Sequence, residues 1–442
     1  MNPRSLRSLL PVLLALALAV VLISRASSRT GAFRAAAVKI DITPDRPQQL
    51  LGYGARVSEG IHTPIHHRIL ALDDGRRKMV LVSTEVCLVS PSEYDRVAAL
   101  VQEAHGIAPI DFLWTVTHTH SAPELGPPGM GAVYMPQRYT HEYDRAYADE
   151  VTKKLLDGIG QTLAALQPAR LGVGFGTAEA NINRRERTPD GKIRLGNNPQ
   201  GPVDRKIGVL KFVKRDSDEL IASVANYAIH ATVLGGKSLL ISADAPGVVS
   251  DHVEGKTGAP LLFINGAAGN VAPIYSVFPT PEEGRIDEFK TRLGDPVLAA
   301  LDAIASYRDS PTLHPEEIRF ETPRKEGLGW APDMDAYTRD DEAGAPLVRM
   351  PCRSLRIDDD ILIWTAPVEL FCEISNSVRD ASPFPFTFYF GYTNGWFGYL
   401  TTAAAFDEGG YESTVVTPFT PAVERRFTDL ITDHVKGRFE AR

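Results

Sequence analysis

Phe112-Leu113-Trp114-Thr115-Val116-Thr117-His118-Thr119-His120-Ser121 is an apolar run that closes in hydroxyl and imidazole side chains. A run of this length and β-branched character reads as a buried strand. Alternation along a strand would put His118 and His120 on one face and Thr117 and Thr119 on the other, so that two imidazoles share one wall. The Pro-rich stretch from Ala122 to Gly129 comes next, and a strand that ends this way fits the carboxyl-edge crevice where open α/β sheets bind ligands. Taken alone, His-x-His is equally well explained by a histidine that only hydrogen-bonds in the core.

The chain around this stretch supports an α/β reading. Ala35 to Ile42 is a predicted strand, and Ile69 to Leu72 turns through Asp73-Asp74-Gly75 into Met79 to Ser83 as a hairpin. Ser90 caps a helix with Pro91 in its first turn and Glu93 completing a capping box, and Gly106 stops it. Strand, helix and the Phe112 strand in succession predict a parallel βαβ unit. Further helices are expected over Tyr147 to Leu166, Glu283 to Ser306, and from Thr420-Pro421 to near Gly437. Further strands are expected at Ala169 to Phe175, Ile207 to Phe212, Leu220 to Ile229, Leu261 to Ile264, Ile361 to Trp364 and Phe386 to Gly391. Asn181 to Val203 and Arg324 to Ala345 read as polar loops. The expected fold is a mixed, largely parallel central sheet flanked by helices, with a site at the strand carboxyl ends.

Composition sets limits on function. A net charge of −8 over 442 residues, with no dense Lys/Arg patch, argues against a nucleic-acid partner. Arg4 and Arg7 precede the apolar run Leu9 to Ile23; a basic flank and about 15 apolar residues match a secretory leader better than a full membrane span of about 20. Residues 1–30 therefore read as a signal peptide, or as an uncleaved signal anchor tethering the chain to a membrane, and the protein as exported to the periplasm or beyond. Cys87, Cys352 and Cys372 have no metal-type spacing and allow at most one disulfide.

His118, His230, Glu369 and Tyr399 all lie just past an apolar strand or in the loop after one. Any one alone is more readily structural; their shared placement favours one site. Nitrogen and carboxylate ligands without thiolates suit zinc with an open coordination position. At these residues the sequence resembles the neutral ceramidase family, in its amino-terminal catalytic domain. The resemblance rests on Asp41-Ile42-Thr43-Pro44, Thr117 to Ser121, Asn183-Arg184, Asn226 to His230, Asn265 to Pro273, Glu369, Tyr399 to Thr402 and Tyr411. It implies a zinc ion held by His118, His230, Glu369 and Tyr399, and a reaction centre lined by His120, Arg184 and Tyr411.

Two departures qualify the substrate. The family's Gly-Asp-Val-Ser-Pro is here Gly269-Asn270-Val271-Ala272-Pro273, so no hydroxyl nucleophile exists at position 272. Residues 31–442 are expected to form the catalytic domain alone, without the carboxyl-terminal immunoglobulin-like domain of the ceramidases the sequence resembles. The leading expectation is a zinc-dependent hydrolase of an N-acyl, ceramide-like amide, in which His120 shuttles the proton and Tyr411, with backbone amides of Gly266 to Gly269 as a weaker candidate, stabilises the oxyanion. Arg184 is expected to orient a polar or anionic substrate group, its alternative being a surface salt bridge. The residues Met130 to Met135 and those around Trp330 are candidates for a lipid-accepting mouth. The alternatives are hydrolysis of another N-acyl compound or an ester, and an exported metal-containing binding protein without turnover.

Overall fold

The computed structural model describes residues 32–441, so the leader lies outside the described residues. Leaving aside the shortest strands, the chain runs β1 (Arg34–Asp41), β2 (His66–Asp73), β3 (Lys78–Thr84), α1 (Pro91–His105), β4 (Phe112–Val116), α2 (Arg145–Ala164), β5 (Gln167–Thr177), β6 (Asn181–Arg187) and β7 (Ile193–Asn198). It continues with β8 (Lys206–Lys214), β9 (Leu220–Tyr227), α3 (Asp244–Thr257), β10 (Leu261–Asn265), α4 (Asp295–Asp302), β11 (Leu313–Pro323), β12 (Pro346–Ile357), β13 (Ile361–Thr365), α5 (Cys372–Ala381), β14 (Phe386–Phe390) and α6 (Val423–Glu440).

Eight strands form one sheet in the order β10-β9-β8-β5-β1-β2-β3-β4. It is mostly antiparallel, which corrects the largely parallel expectation: only β9–β10 and β3–β4 pair in parallel. The cause is connectivity. A parallel neighbour needs a crossover, and a helix lies between β3 and β4 and between β9 and β10. Short turns join β2 to β3, at Asp74-Gly75, and β8 to β9, and these neighbours pair antiparallel. A second sheet, β11-β12-β13-β14, obeys the same rule: its one parallel pair, β13–β14, is bridged by α5.

The large sheet bends where β1 and β5 pair only at Arg34–Pro168 and Ala35–Gln167. Each half has two apolar faces. Leu70, Leu72, Leu81 and Leu113 of one half share a core with Leu210, Phe212, Leu262 and Ile264 of the other. The alternate residues Ile69, Val80, Val82 and Trp114 face outward onto α1 and α2, and Val209, Phe263 and Leu261 face α3 and α4. Strand alternation thus produces helix, sheet, sheet and helix in layers, with the second sheet and α6 enclosing a further core around Trp364 and Phe427.

Two other expectations fail for physical reasons. Asn181 to Val203 is the hairpin β6–β7, not a loop. Its strand residues are polar because Asn181, Asn183, Arg184 and Arg185 are buried with partners, so hydrophobic alternation is blind to them. The predicted helix over Glu283 to Ser306 is broken. Arg285 is left-handed (φ 53°), a wide π-type turn covers Lys290–Gly294, and α4 begins only at Asp295, beside Pro296, which has no N–H to extend a helix backwards. The last helix runs past Gly437 to Glu440, and all three cysteines are buried and unpaired.

What positions the site is Asn265, at the end of β10. Its Oδ1 accepts the N–H of Ile229 at 3.1 Å and its Nδ2 donates to the carbonyl of Thr117 at 3.2 Å, tying down the residues just before His230 and His118. Asn265→Ala should orphan both buried backbone groups, at a cost of about 1–3 kcal/mol for each. Urea denaturation of the variant is expected to show a lowered midpoint with an unchanged slope.

Candidate active site

His118 lies two residues beyond β4, at φ 63°, so the backbone has already left the strand. The alternation argument for pairing His118 with His120 therefore does not hold, yet the rings meet, with centroids 4.7 Å apart. The left-handed turn brings them together instead. His118 N–H is held by the carbonyl of Val86 at 2.9 Å and His120 N–H by that of Ala231 at 3.1 Å. His118 stacks on Tyr392, and His120 meets Tyr53 edge-on.

Hydrogen bonds on the far side of each ring set the direction of its lone pair. His118 Nδ1 is 2.9 Å from the carbonyl of Cys87, and His230 Nδ1 is 3.0 Å from that of Ala268. A carbonyl only accepts, so each Nδ1 carries the proton and each Nε2 offers its lone pair. Those two Nε2 atoms lie 3.0 Å apart. Glu369 Oε2 stands 3.2 Å from the first and 3.4 Å from the second, while Oε1 accepts from Trp396 Nε1 at 2.9 Å. Three acceptor atoms thus converge in a buried pocket.

Such a cluster is repulsive unless a proton or a cation sits among its members. In the metal-free chain, burial works against a charged His118, but Cys87 and Glu369 outweigh it and hold the imidazole up at about 10. Burial and the neighbouring charges keep His120 and His230 well below their ordinary values. Burial also opposes the Glu369 charge, but His118 and Arg184 hold its carboxyl below the ordinary range. One proton among three acceptors occupies the place a divalent cation would take, and two imidazoles with a carboxylate are a donor set that fits one.

Tyr399 is brought beside Glu369 by a two-residue parallel pairing, Glu369 opposite Tyr399 and Leu370 opposite Leu400. Burial pushes its phenol well above the ordinary value, and its oxygen accepts from Arg184 Nη2 at 2.9 Å. Arg184 is only 8% exposed, so the surface salt bridge is excluded. Its Nε reaches Glu412 at 3.1 Å and its Nη1 lies 3.1 Å from His230 Nε2. Every nitrogen of this guanidinium has a protein partner.

His118, His120, His230, Glu369, Tyr399, Arg184 and Tyr411 all line one cavity of about 360 Å³, joined by Ala272. Most of its remaining wall is apolar or aromatic. The glycine loop does a different job from the one expected of it. The N–H groups of Gly266 and Gly269 are taken by the carbonyls of Tyr227 and Leu370, so neither is available to an oxyanion. A Cβ at Gly269 would come within 2.6 Å of the Glu369 carbonyl, which is why glycine stands there. Of the expected lipid mouth only Met135 lines the cavity; Trp330 donates to the carbonyl of Met334 instead.

Sequence reasoning missed several contributors. Gly52, at φ 104°, makes room for the His120 ring, which a Cβ would meet at 2.4 Å. Leu195 and Asn197 form a wall from the hairpin taken for a loop, and Trp396 and Arg138 come from segments with no motif. Among them, only the paired glycines of Leu51-Gly52-Tyr53-Gly54-Ala55 carry a signal in the sequence.

Trp396→Phe should leave Glu369 Oε1 without its donor while keeping an aromatic ring in place. Loss of a partner that orients a metal ligand is expected to weaken metal affinity about 10- to 100-fold, read by competition with a chromogenic chelator.

A family model described as neutral/alkaline non-lysosomal ceramidase, N-terminal, matches residues 33–271. The fold is similar to the crystal structure of neutral ceramidase from Pseudomonas aeruginosa, with a TM-score of 0.73 at 19% identity, over 93% of this chain and 75% of that one. It is equally similar to a ceramidase complexed with C2, with a TM-score of 0.74 at 19% identity, over 93% of this chain and 76% of that one. A sequence match across more than half the chain, over the segments that carry His118, His120, Arg184 and His230, makes this protein a member of the neutral/alkaline non-lysosomal ceramidase family.

Proposed function

We propose that the protein is a zinc-dependent hydrolase of the amide bond in an N-acyl, ceramide-like lipid. The observation that carries this reading is the convergence of His118 Nε2, His230 Nε2 and Glu369 Oε2 within 3.0 to 3.4 Å of one another, each ring locked from behind by a backbone carbonyl. Tyr399 completes the ligand set in the proposal. Zinc held there would bring the pKa of a bound water down to about 7. Position 272 offers only a methyl group to the cavity, and water is taken as the nucleophile.

The chain's own groups then divide the work. His120, kept neutral by its burial, takes the proton of the attacking water and passes it to the leaving nitrogen. The water oxygen joins the carbonyl carbon, the C–N bond breaks, and a carboxylate and an amine leave. Tyr411 remains a phenol at neutral pH, since burial raises it, and it faces the cavity as a donor to the developing oxyanion. Arg184 holds Tyr399 and, through Glu412, the start of the segment carrying Tyr411. The basic-flanked apolar run Leu9 to Ile23 supports export of the chain, to be tested by cell fractionation.

Elemental analysis of the leader-free chain should find about one zinc per molecule, and none in a folded His118→Ala/His230→Ala variant. Absence of zinc after supplementation would leave a fold without its proposed chemistry. His120→Ala should keep its metal and lose about 10²–10⁴ in kcat on an N-dodecanoyl amide; full activity would remove its proton role. Tyr411→Phe should lose about 10²–10³ in kcat.

A further inference from the structure

The cavity holds a cation that this chemistry does not use. Two arginines line it, Arg184 and Arg138. Arg184 spends its donors on Glu412, Tyr399 and His230. Arg138, at the end of the short turn Pro136–Arg138, is partly buried, and its positive charge acts on the Tyr411 phenol and the His120 ring, which line the same cavity. Among the described residues no carboxylate forms an ion pair with it. The one carboxylate lining the cavity, Glu369, is engaged by His118, His230 and Trp396.

A partly buried guanidinium in a cavity wall shared with Leu51, Leu88, Met135 and Leu195, with no carboxylate paired to it, keeps its donors open to a ligand that enters. Its planar fork suits a carboxylate or a phosphate held by two hydrogen bonds. Its place fixes which half of the substrate bears that group. Arg138 stands by Tyr411 and His120, and His120 delivers its proton to the leaving nitrogen. The anion therefore belongs to the amine half, a few bonds from the scissile C–N bond, while the acyl chain takes the apolar wall.

We propose that Arg138 determines specificity by binding an anionic group on the amine half of the substrate, so that the preferred substrate is an N-acyl amine bearing a carboxylate or a phosphate rather than a neutral ceramide. This rests on the amide-hydrolase reading above and narrows its substrate class. It also reassigns a role: the anion contact expected of Arg184 falls to Arg138, because Glu412 already neutralises Arg184.

The test separates binding from turnover. The zinc-loaded chain and its Arg138→Gln and Arg138→Lys variants are titrated calorimetrically with ketone isosteres of N-dodecanoylglycine, in which a methylene replaces the amide N–H. One isostere ends in a carboxylate, one in a phosphate monoester and one in a hydroxyl. The parent should bind at least one anionic isostere about 10- to 100-fold more tightly than the hydroxyl one, the discrimination of a charge-assisted bidentate contact; the tighter arm identifies carboxylate or phosphate. The ratio should fall to near unity in Arg138→Gln and recover in part in Arg138→Lys. A ratio near unity in the parent, or one that survives Arg138→Gln, overturns the proposal. Hydrolysis of N-dodecanoylglycine and N-dodecanoylethanolamine is measured alongside. Turnover without any anion preference overturns the Arg138 role alone, whereas anion-selective binding with no turnover of either amide overturns the hydrolase reading alone.

Discussion

The site depends on one buried side chain that belongs to none of its candidate ligands. Asn265 ends β10, and its amide joins the backbone before His118 to the backbone before His230, while its own carbonyl accepts the N–H of Gly391 at 2.8 Å. Three loops, one from each half of the bent sheet and one from the second sheet, are thereby fixed to a single residue. A primary amide suits this position because it donates and accepts at once, whereas a carboxylate could only accept. Fully satisfied inside the protein, such a group rigidifies what it touches. The convergence of the imidazoles to 3.0 Å is therefore imposed on the ligands from behind, before any cation arrives.

That arrangement explains why the site tolerates so much unfavourable electrostatics. Arg184, Arg185 and Glu412 are all buried, and the two arginines share the one carboxylate at 3.1 and 2.9 Å. Breaking such a network by removing one partner costs far more than an exposed pair contributes. The hairpin β6–β7 is held to the helical segment around Glu412 by these contacts rather than by apolar burial. The charged network is thus both the structural reason for the hairpin and the wall of the cavity.

The same fact sets what could be read from the sequence. Strands with apolar alternation were legible: β2, β3 and β4 and the capped helix α1 fall where Asp74-Gly75, Ser90-Pro91 and Gly106 predict. The seven site residues were legible because each follows or interrupts such an element, or belongs to the family's motifs, and the structure gathers all of them around one cavity. Parallel pairing was overestimated because it depends on which connections contain a helix, a property of the whole chain order rather than of any stretch. The hairpin at Asn181 was invisible because its buried residues are polar, and their partners, Glu408 and Glu412, lie more than two hundred positions away. Right residues were also chosen for a wrong reason at His118, where a left-handed turn, not a strand, aims the ring.

Ala272 and Arg138 describe one site from opposite ends. At Ala272 the cavity wall carries a methyl group, which offers a polar head group no anchor there. Arg138 supplies an anchor of another kind in the wall of the same cavity, one that rewards negative charge rather than a neutral hydroxyl. Metal-assisted hydrolysis does not itself choose the acyl amine. Selection falls to such peripheral contacts, and here they consist of an apolar wall for the chain and a guanidinium beside the phenol of Tyr411 for the amine half. The family's chemistry and a different head group are compatible within one cavity, because the groups that would break the bond and the group that would recognise the amine are separate side chains.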